Sequence, residues 1–137
     1  MKEHEREHEL ERIIGYKFHN IDLLTIALTH TSYANESKEK VHHNERLEFL
    51  GDSVLSVVTA DYLFHAWKDR PEGDLSRTRA SLVSEGALFQ FAQEIELGSY
   101  LRLGRGEDLN GGRNRPSVVL WSCGNEEPTH AEARGAR

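Results

Sequence analysis

The chain contains a single cysteine, and this scarcity excludes the folds that depend on paired thiols. Cys123 has no second cysteine with which to form an internal disulfide or a thiolate metal site. The sequence therefore supports neither a disulfide-stapled secreted fold nor a zinc module.

Long apolar runs are missing as well. No stretch approaches the roughly 20 apolar residues that a membrane-spanning helix needs. The amino-terminal segment MKEHEREHEL is charged where a secretory signal would be apolar. We therefore expect a soluble protein without a membrane partner, and the cytoplasm as its compartment.

The chain also lacks a net positive charge. The formal charge is -6 at pH 7, from 17 lysines and arginines against 23 acidic residues. This balance argues against a simple basic surface that binds nucleic acid through counterion release alone. A polyanionic ligand would need positive charge from another source, and bound divalent cations are often the largest local charges in such a site.

A convincing strand pattern is also lacking, and most apolar residues follow a helical period instead. The pattern predicts a first helix that ends at Gly15 and a second that Asn20 caps. A third helix is predicted from Glu45 to about Trp67, with Asn44 as its N-cap. At 137 residues we expect one all-α domain. The third helix should be central and buried on several sides, because its apolar residues occupy more than one stripe.

Three further segments complete the predicted organisation. The polar stretch TSYANESKEKVHH is expected to be a loop. The stretch LSRTRASLVSEGALFQFAQEIEL should form one long helix or two short ones, with Gly86 as the weak point. The glycine-rich stretch LGSYLRLGRGEDLNGGRNRPS is expected to be a second loop.

Carboxylates interrupt the start of the third predicted helix, NERLEFLGDSVL. Glu48 and Asp52 are four residues apart, so on a helix their Cβ atoms lie about 6 Å apart. Glu45 lies one turn earlier on nearly the same face. Acids in a first turn complement the helix dipole, which accounts for Glu45 but explains Asp52 poorly, because Asp52 lies about two turns in.

A bound cation is the alternative explanation for these acids. Like charges at this spacing repel unless something positive lies between them. A hard divalent cation such as Mg²⁺ or Mn²⁺ suits carboxylate ligands. The rival partner is Arg46, which the helix turns about 100° away from Glu45. The spacing alone leaves both the metal site and the dipole role open.

The whole string HNERLEFLGDSVL, residues 43–55, resembles the signature of the ribonuclease III family, the endonucleases that cut double-stranded RNA. Similar motifs follow the family order along the chain: IGYKF at 14–18, ALTHTSY at 27–33, EGDLSRTRASLV at 72–83, LGSYLRLGRGE at 97–107 and GGRNRPS at 111–117. The resemblance covers roughly residues 10–119.

The resemblance implies an all-helical endonuclease domain that forms a homodimer, with a valley for double-stranded RNA. It implies metal-dependent phosphodiester hydrolysis in RNA processing, with Mg²⁺ as cofactor and Mn²⁺ as a substitute. Glu48 and Asp52 resemble the catalytic metal ligands, and Glu45 and Glu72 the further acids that line the valley. Phe49 resembles the aromatic that inserts into the partner subunit, although an ordinary core role fits it equally well.

Two basic pairs have a functional and a simpler interpretation. Arg77 and Arg79 could contact RNA phosphates, but arginines on a solvated helix face are the more common case. His42 and His43 could bind a metal, but a histidine pair without further spaced ligands before a helix is more often an exposed loop feature.

The sequence departs from the family pattern after GGRNRPS. In the family a further helix carries a second Asp and Glu, four and seven residues beyond the serine. Those positions are Trp121 and Gly124 here, and neither binds a metal through its side chain. We therefore expect residues 1–119 to be a partial, carboxyl-terminally incomplete endonuclease domain. Residues 120–137 should be a divergent, disordered tail, because they show no sustained apolar period.

The departure supports two hypotheses about the coding region. One is that the reading frame changes near Leu120, and the other is that the chain is an altered truncation. An identical tail in independently resequenced isolates would contradict both. The alternative to an active endoribonuclease is a catalytically defective remnant that acts only as a dimerising or RNA-binding module.

Overall fold

The computed structural model describes residues 3–119, which form eight α-helices and two short 3-10 helices. The α-helices are α1 (Glu5–Ile14), α2 (Ile21–Ala27), α3 (Thr31–Glu36), α4 (Glu45–Ala66), α5 (Glu72–Leu82), α6 (Glu85–Glu94), α7 (Arg105–Leu109) and α8 (Pro116–Val119). The 3-10 helices are Leu97–Tyr100 and Gly112–Asn114. Within these residues there is no strand, only an isolated bridge between Thr29 and Arg102. The all-α prediction is confirmed, and none of the described helices has the length and apolarity that a bilayer requires.

The predicted ends of the first two helices are confirmed. Gly15 ends α1 in the left-handed conformation, with φ 71°, and its N–H donates to the carbonyl of Glu11. Glycine adopts this conformation without the steric cost that a Cβ would bring. Asn20 caps α2, because its side-chain oxygen accepts the N–H of Asp22.

Asn44 occupies the predicted N-cap position of α4, and the helix occupies the predicted residues, but the expected capping by the Asn44 side chain is not found. The side chain of Asn44 makes no capping hydrogen bond. Its amide group donates to the carbonyl of Ala27 at 3.0 Å, and its backbone N–H donates to the carbonyl of Thr29 at 2.9 Å. Asn44 therefore joins the start of α4 to the end of α2, a tertiary role that a capping pattern does not reveal.

The long segment after residue 72 forms two helices, one of the two predicted arrangements. The break falls at Ser84, whose hydroxyl accepts the N–H of Ala87 and so caps α6. Gly86 lies inside α6, two residues beyond the break. The cap therefore determines where the second helix begins, rather than the low helix propensity of glycine.

Both segments predicted to be loops contain helical turns, so these predictions are partly wrong. TSYANE forms α3, and most of the glycine-rich stretch is organised into 3-10 turns and α7. Tyr100, Leu101 and Leu103 of that stretch are at most 8% exposed. Glycine content indicated turns correctly, but it did not reveal that the apolar residues between the glycines are buried.

The hydrophobic core lies where α1, α2, α6 and α8 meet the segment around residues 97–103. Its buried members are Leu10, Leu24, Leu28, Ala92, Leu97, Tyr100, Leu101, Leu103, Val118 and Val119. No residue of α4 or α5 belongs to this cluster. The core is therefore assembled without the helix that carries the predicted site.

The prediction that α4 is buried on several sides is wrong for the described residues. Leu63 is its only buried residue. Seven large apolar side chains of α4 are 52% to 73% exposed, namely Phe49, Leu50, Val54, Val57, Val58, Tyr62 and Phe64. Several apolar stripes on a helix predict that it is buried, but they do not specify which element covers each stripe. Among the described helices, α4 packs chiefly along α5.

Candidate metal and RNA site

The predicted metal ligands lie on one edge of α4. The helix places Glu48 and Asp52 one turn apart and Glu45 one turn before Glu48, as the spacing predicted. Glu45 is exposed, whereas Glu48 and Asp52 are half-buried. The amino-terminal turn of α4 favours acids, because the helix dipole leaves partial positive charge there.

A fourth predicted acid, Glu72, lies in the first turn of α5 and is exposed. Its carboxylate accepts a hydrogen bond from the hydroxyl of Ser76, one turn later. Glu72 lines an open cavity of about 500 Å³ between α5 and residues 56–64 of α4, and Arg79 lines the same cavity. Ser76 therefore fixes the carboxylate at the mouth of this cavity.

Glu45 and Glu72 line different depressions of the surface. Glu45 borders a groove of about 950 Å³ between α2 and the start of α4, which Phe49 and Leu50 also line. Glu72 borders the smaller cavity against the second half of α4. The described residues thus do not bring these two acids into one pocket, and their joint role in an RNA valley stays a prediction.

The carboxylates of Glu48 and Asp52 fit a hard divalent cation, although they provide only two ligand groups. Within residues 3–119, no three His, Cys, Asp or Glu side chains form a group that could hold a metal ion. Glu48 and Asp52 supply two carboxylates one turn apart. That number suffices for Mg²⁺, which proteins usually hold through one or two carboxylates, with water and substrate phosphates as the other ligands. Trp121 and Gly124, the positions of the missing acids, lie outside the described residues.

Phe49 is not a core residue in the described part of the chain. Its side chain is 73% exposed and lines the groove between α2 and α4 together with Leu23 and Ile26. The sequence left two roles open for Phe49, an ordinary core residue and a contact with a partner subunit. Its exposure does not fit the core role among the described residues, and the contact with a partner subunit stays a prediction.

The arginines have different environments. Arg77 is exposed and forms an ion pair with Asp74 one turn earlier on α5. Arg79 is half-buried in the cavity wall beside Glu72. Arg46 is exposed on α4 and lines the same groove as Glu45. Arg79 therefore has the more constrained position for a phosphate contact, because it is half-buried where Arg77 is exposed.

The histidine pair contributes to the start of α4. His42 is exposed, and Nδ1 of the half-buried His43 accepts the N–H of Glu45 at 3.5 Å. This long contact gives His43 the position of a weak cap. The predicted loop location is confirmed.

One residue near the site was not identified from the sequence. Asp61 of α4 lines the same cavity as Glu72 and carries an exposed carboxylate. The available signal was weak: Asp61 is a single acid in an apolar run, and only the packing of α5 against α4 shows which cavity it borders.

Comparison with known proteins gives a consistent family assignment. Residues 20–123 match the family model described as Ribonuclease-III-like. The chain is 54% identical over 111 residues to Ribonuclease 3 of Clostridium tetani, covering 81% of this chain and 47% of that protein. It is 53% identical over 110 residues to Ribonuclease 3 of Caldanaerobacter subterraneus subsp. tengcongensis, covering 80% and 48%. The chain thus spans about half the length of the curated relatives that it matches.

A solved structure supports the same conclusion. The nuclease domain of ribonuclease III from Campylobacter jejuni superposes with a TM-score of 0.75 at 40% identity, covering 88% of this chain and 79% of that one. A second structure of that domain gives a TM-score of 0.74 at 41% identity, covering 89% and 78%. Sequence motifs, helical architecture and relatives agree, and the chain belongs to the Ribonuclease-III-like family.

Proposed function

We propose that this chain acts as an endoribonuclease of the ribonuclease III type, which cleaves double-stranded RNA by metal-dependent phosphodiester hydrolysis in RNA processing. The observation that carries the proposal is the pair Glu48 and Asp52, one turn apart on α4, inside the segment that matches the family. The relatives named Ribonuclease 3 support it. The cytoplasm is the proposed compartment.

Glu48 and Asp52 are the proposed ligands of Mg²⁺, with Mn²⁺ as a substitute. When bound, the cation would activate water and neutralise charge at the scissile phosphate. The two half-buried carboxylates hold their positions on a regular helix, so little ordering is needed when a cation binds. Glu45 and Glu72 are the proposed acids of the RNA-facing surface, and Arg77 and Arg79 its proposed phosphate contacts.

The proposed assembly is a homodimer in which Phe49 contacts the partner subunit. Its 73% exposure supports this role, because an exposed phenylalanine gains most from burial against another surface. One structure of the Campylobacter jejuni nuclease domain is described as flexible in the region involved in dimer formation. An A-form RNA duplex would be recognised chiefly by shape and by phosphate and 2′-hydroxyl contacts.

Cleavage of a long RNA duplex by the purified chain tests the activity. With Mg²⁺ we expect cleavage that EDTA abolishes and that Glu48→Gln and Asp52→Asn each reduce at least about 100-fold, since removing a ligand exceeds the usual effect of losing its supporting contacts. Glu94→Gln, at an exposed position of α6, is the matched control and should cleave normally. Undiminished cleavage by Glu48→Gln would reject the assigned ligands.

One observation favours the alternative function, a defective remnant that only dimerises or binds RNA. The described residues contain no group of three metal-binding side chains. Duplex binding without cleavage by the purified chain would support this alternative. In a separate mixture with an intact relative, mixed dimers that lower the relative's activity would support it as well.

A further inference from the structure

The amino-terminal end of α4, which carries the proposed metal ligands, is joined to the rest of the domain by hydrogen bonds of one buried residue. No residue of α4 belongs to the described core cluster. Asn44, which directly precedes the helix, is 1% exposed, and its hydrogen bonds reach back across the end of α2. The position of the acidic edge therefore depends on what Asn44 contacts.

Two donors of Asn44 bind the same short segment. Its side-chain Nδ2 donates to the carbonyl of Ala27 at 3.0 Å, and its backbone N–H donates to the carbonyl of Thr29 at 2.9 Å. A carbonyl oxygen can only accept, so the amide nitrogen, and not the amide oxygen, faces Ala27. Loss of this bond inside the protein would leave a buried polar group without compensation, which favours a single arrangement of the side chain.

Residues 27–30 are held in turn by the segment of the core that contains Arg102. The backbone N–H of Arg102 donates to the carbonyl of Leu28 at 2.8 Å, and its carbonyl accepts the N–H of His30 at 3.0 Å. Both chain neighbours of Arg102 are buried in the core cluster. Asn44 thus connects the start of α4 to the core through a series of hydrogen bonds.

The same residue begins the hydrogen bonds of α4 itself. The carbonyl of Asn44 accepts the N–H of Glu48 at 2.8 Å. Glu48 lies one turn and Asp52 two turns beyond this point, about 6 Å and 12 Å along the helix axis. A displacement of Asn44 would move both carboxylates together, because they belong to one regular helix.

We propose that Asn44 is a positioning residue for the metal site, which holds Glu48 and Asp52 where they bind a divalent cation. The inference rests on the proposed function, because it takes these two acids as the ligands. Asn44 acts through the backbone of α4 and is not itself a ligand. Replacing residues that orient metal ligands typically lowers metal affinity about 10- to 100-fold.

Binding of Mn²⁺ to the full chain without RNA tests the inference, with the free ion measured by electron paramagnetic resonance. We expect Asn44→Ala to raise the dissociation constant of Mn²⁺ at least about tenfold, because it removes the bond to Ala27. All variants are compared at a temperature at which circular dichroism shows them folded.

A second variant separates position from charge. Asn44→Asp, measured at about pH 8, keeps the size and the N-cap preference of asparagine, but its charged carboxylate has no donor for Ala27. The added negative charge alone would strengthen cation binding. We nevertheless expect weaker binding of Mn²⁺, because the connection to Ala27 is lost.

Thr29→Val is the matched control, because Thr29 is fully buried in the segment that Asn44 contacts. Its hydroxyl donates to the carbonyl of Thr25 at 2.6 Å and accepts from Arg102 at 3.3 Å, whereas Asn44 binds its backbone carbonyl. Thr29→Val should lower the melting temperature and leave the dissociation constant of Mn²⁺ unchanged. An equal loss of Mn²⁺ binding in this control would overturn the inference, because general destabilisation would explain both losses.

The remaining outcomes separate the inference from the proposed activity. Unchanged Mn²⁺ binding by both Asn44 variants, with binding lost in Glu48→Gln, would overturn the inference and leave the metal site in place. Mn²⁺ binding that depends on Asn44, in a chain that does not cleave RNA, would support the inference and contradict the activity. Absence of Mn²⁺ binding by the unchanged chain, or binding that Glu48→Gln leaves intact, would overturn both the inference and the assigned ligands.

Discussion

Single residues of α1 show how buried charge is tolerated in this protein. Glu7 is 8% exposed and accepts the hydroxyl of Thr25 at 2.8 Å. Glu11 is 6% exposed, accepts the N–H of Phe18 at 2.6 Å and pairs with His8 at 2.6 Å. Buried carboxylates need such partners, because desolvation otherwise opposes their charge. The two acids thus tie α1 to α2 and to the chain that follows Gly15.

These contacts change the pKa of both carboxyl groups. Burial raises the pKa of Glu7, but hydrogen bonds from its own backbone and from Thr25, with the nearby His4, outweigh it and leave the pKa below its ordinary value. The pKa of Glu11 is lowered chiefly by the N–H of Phe18 and then by His8. The folded state therefore favours both carboxylates in their charged form.

The lowered pKa values predict a loss of stability in acid. A carboxyl group with a lowered pKa in the folded state stabilises the protein fully above its unfolded value, here 4.5. That contribution is lost as the pH falls through the folded-state value. We expect the melting temperature to drop below pH 4.5 and to drop less steeply in the double variant Glu7→Gln with Glu11→Gln. Melting curves across the acid range check this.

The control replaces two exposed acids, Glu5→Gln with Glu94→Gln, and should keep the steep acid dependence. Parallel curves for the unchanged chain and the buried-site double variant would contradict the assigned role of Glu7 and Glu11.

Gly104 supports a second prediction at the level of one residue. A Cβ at this position would lie 2.6 Å from the carbonyl oxygen of Ser32 and 2.9 Å from its carbonyl carbon. Its N–H also donates to the hydroxyl of Ser32 at 2.8 Å, which keeps the two segments close. We expect Gly104→Ala to lower the free energy of unfolding by about 1–3 kcal/mol, as overpacking does. Urea denaturation measures the change.

Gly106 provides the comparison for Gly104. A Cβ there would meet its nearest neighbour, Oε1 of Glu36, at 3.8 Å, an ordinary contact. Gly106→Ala should therefore leave stability unchanged or raise it, because alanine favours helix α7. Equal losses for both variants would show that the close approach of Ser32 does not cause the effect.

At the level of elements, α4 contains a glycine that its helix does not need. A Cβ at Gly51 meets no atom of the described residues within 4 Å. Glycine in a helix interior is less favourable than alanine by roughly 0.5–1 kcal/mol. We expect Gly51→Ala to stabilise the chain by about that amount in urea denaturation.

Gly15 is a glycine that the backbone does require, in contrast to Gly51. Its φ of 71° at the end of α1 is a conformation that other residues adopt at a cost. Gly15→Ala should destabilise the protein although no atom lies within 4 Å of the added Cβ. A stabilising Gly15→Ala would contradict the backbone argument.

For the whole molecule, the net charge decides how RNA can bind. A formal charge of -6 repels a polyanion at long range, and the acids at the start of α4 strengthen that repulsion locally. A bound divalent cation would offset the two negative charges of Glu48 and Asp52 and supply a positive ion that RNA phosphates can contact. We expect the affinity for an RNA duplex to fall at least about tenfold when Mg²⁺ is replaced by EDTA at matched ionic strength. Filter binding or fluorescence anisotropy measures it.

Two controls separate this effect from general screening. Adding monovalent salt in place of Mg²⁺ should not restore binding, because screening weakens repulsion without placing a cation between the carboxylates and the RNA phosphates. Glu48→Gln should bind RNA with a weaker dependence on Mg²⁺. Equal affinity in Mg²⁺ and EDTA would contradict the role assigned to the cation.

Much of the fold was predictable because its signals are local. The helical period, Gly15 at the end of α1 and Asn20 at the start of α2 each depend on interactions within a few residues. The i, i+4 placement of Glu48 and Asp52 is equally local, so the edge of α4 that carries them followed from the residues alone.

Long-range packing was not predictable in the same way. Asn44 has a capping pattern, but its amide contacts Ala27, 17 residues away. Leu101 lies in a glycine-rich segment and is fully buried. Composition indicates the local conformation that a segment favours by itself. The positions of Asn44 and Leu101 depend instead on contacts with residues distant in the chain.

The sequence by itself determined the family, the helical class and the helix edge that carries the proposed ligands, because helical spacing and motif order are properties of neighbouring residues. Only the tertiary structure decided that the described core cluster contains no residue of α4, and that Glu45 and Glu72 line separate depressions. Burial depends on which surfaces meet, and an apolar helix face is compatible with several partners until the other surfaces are in place.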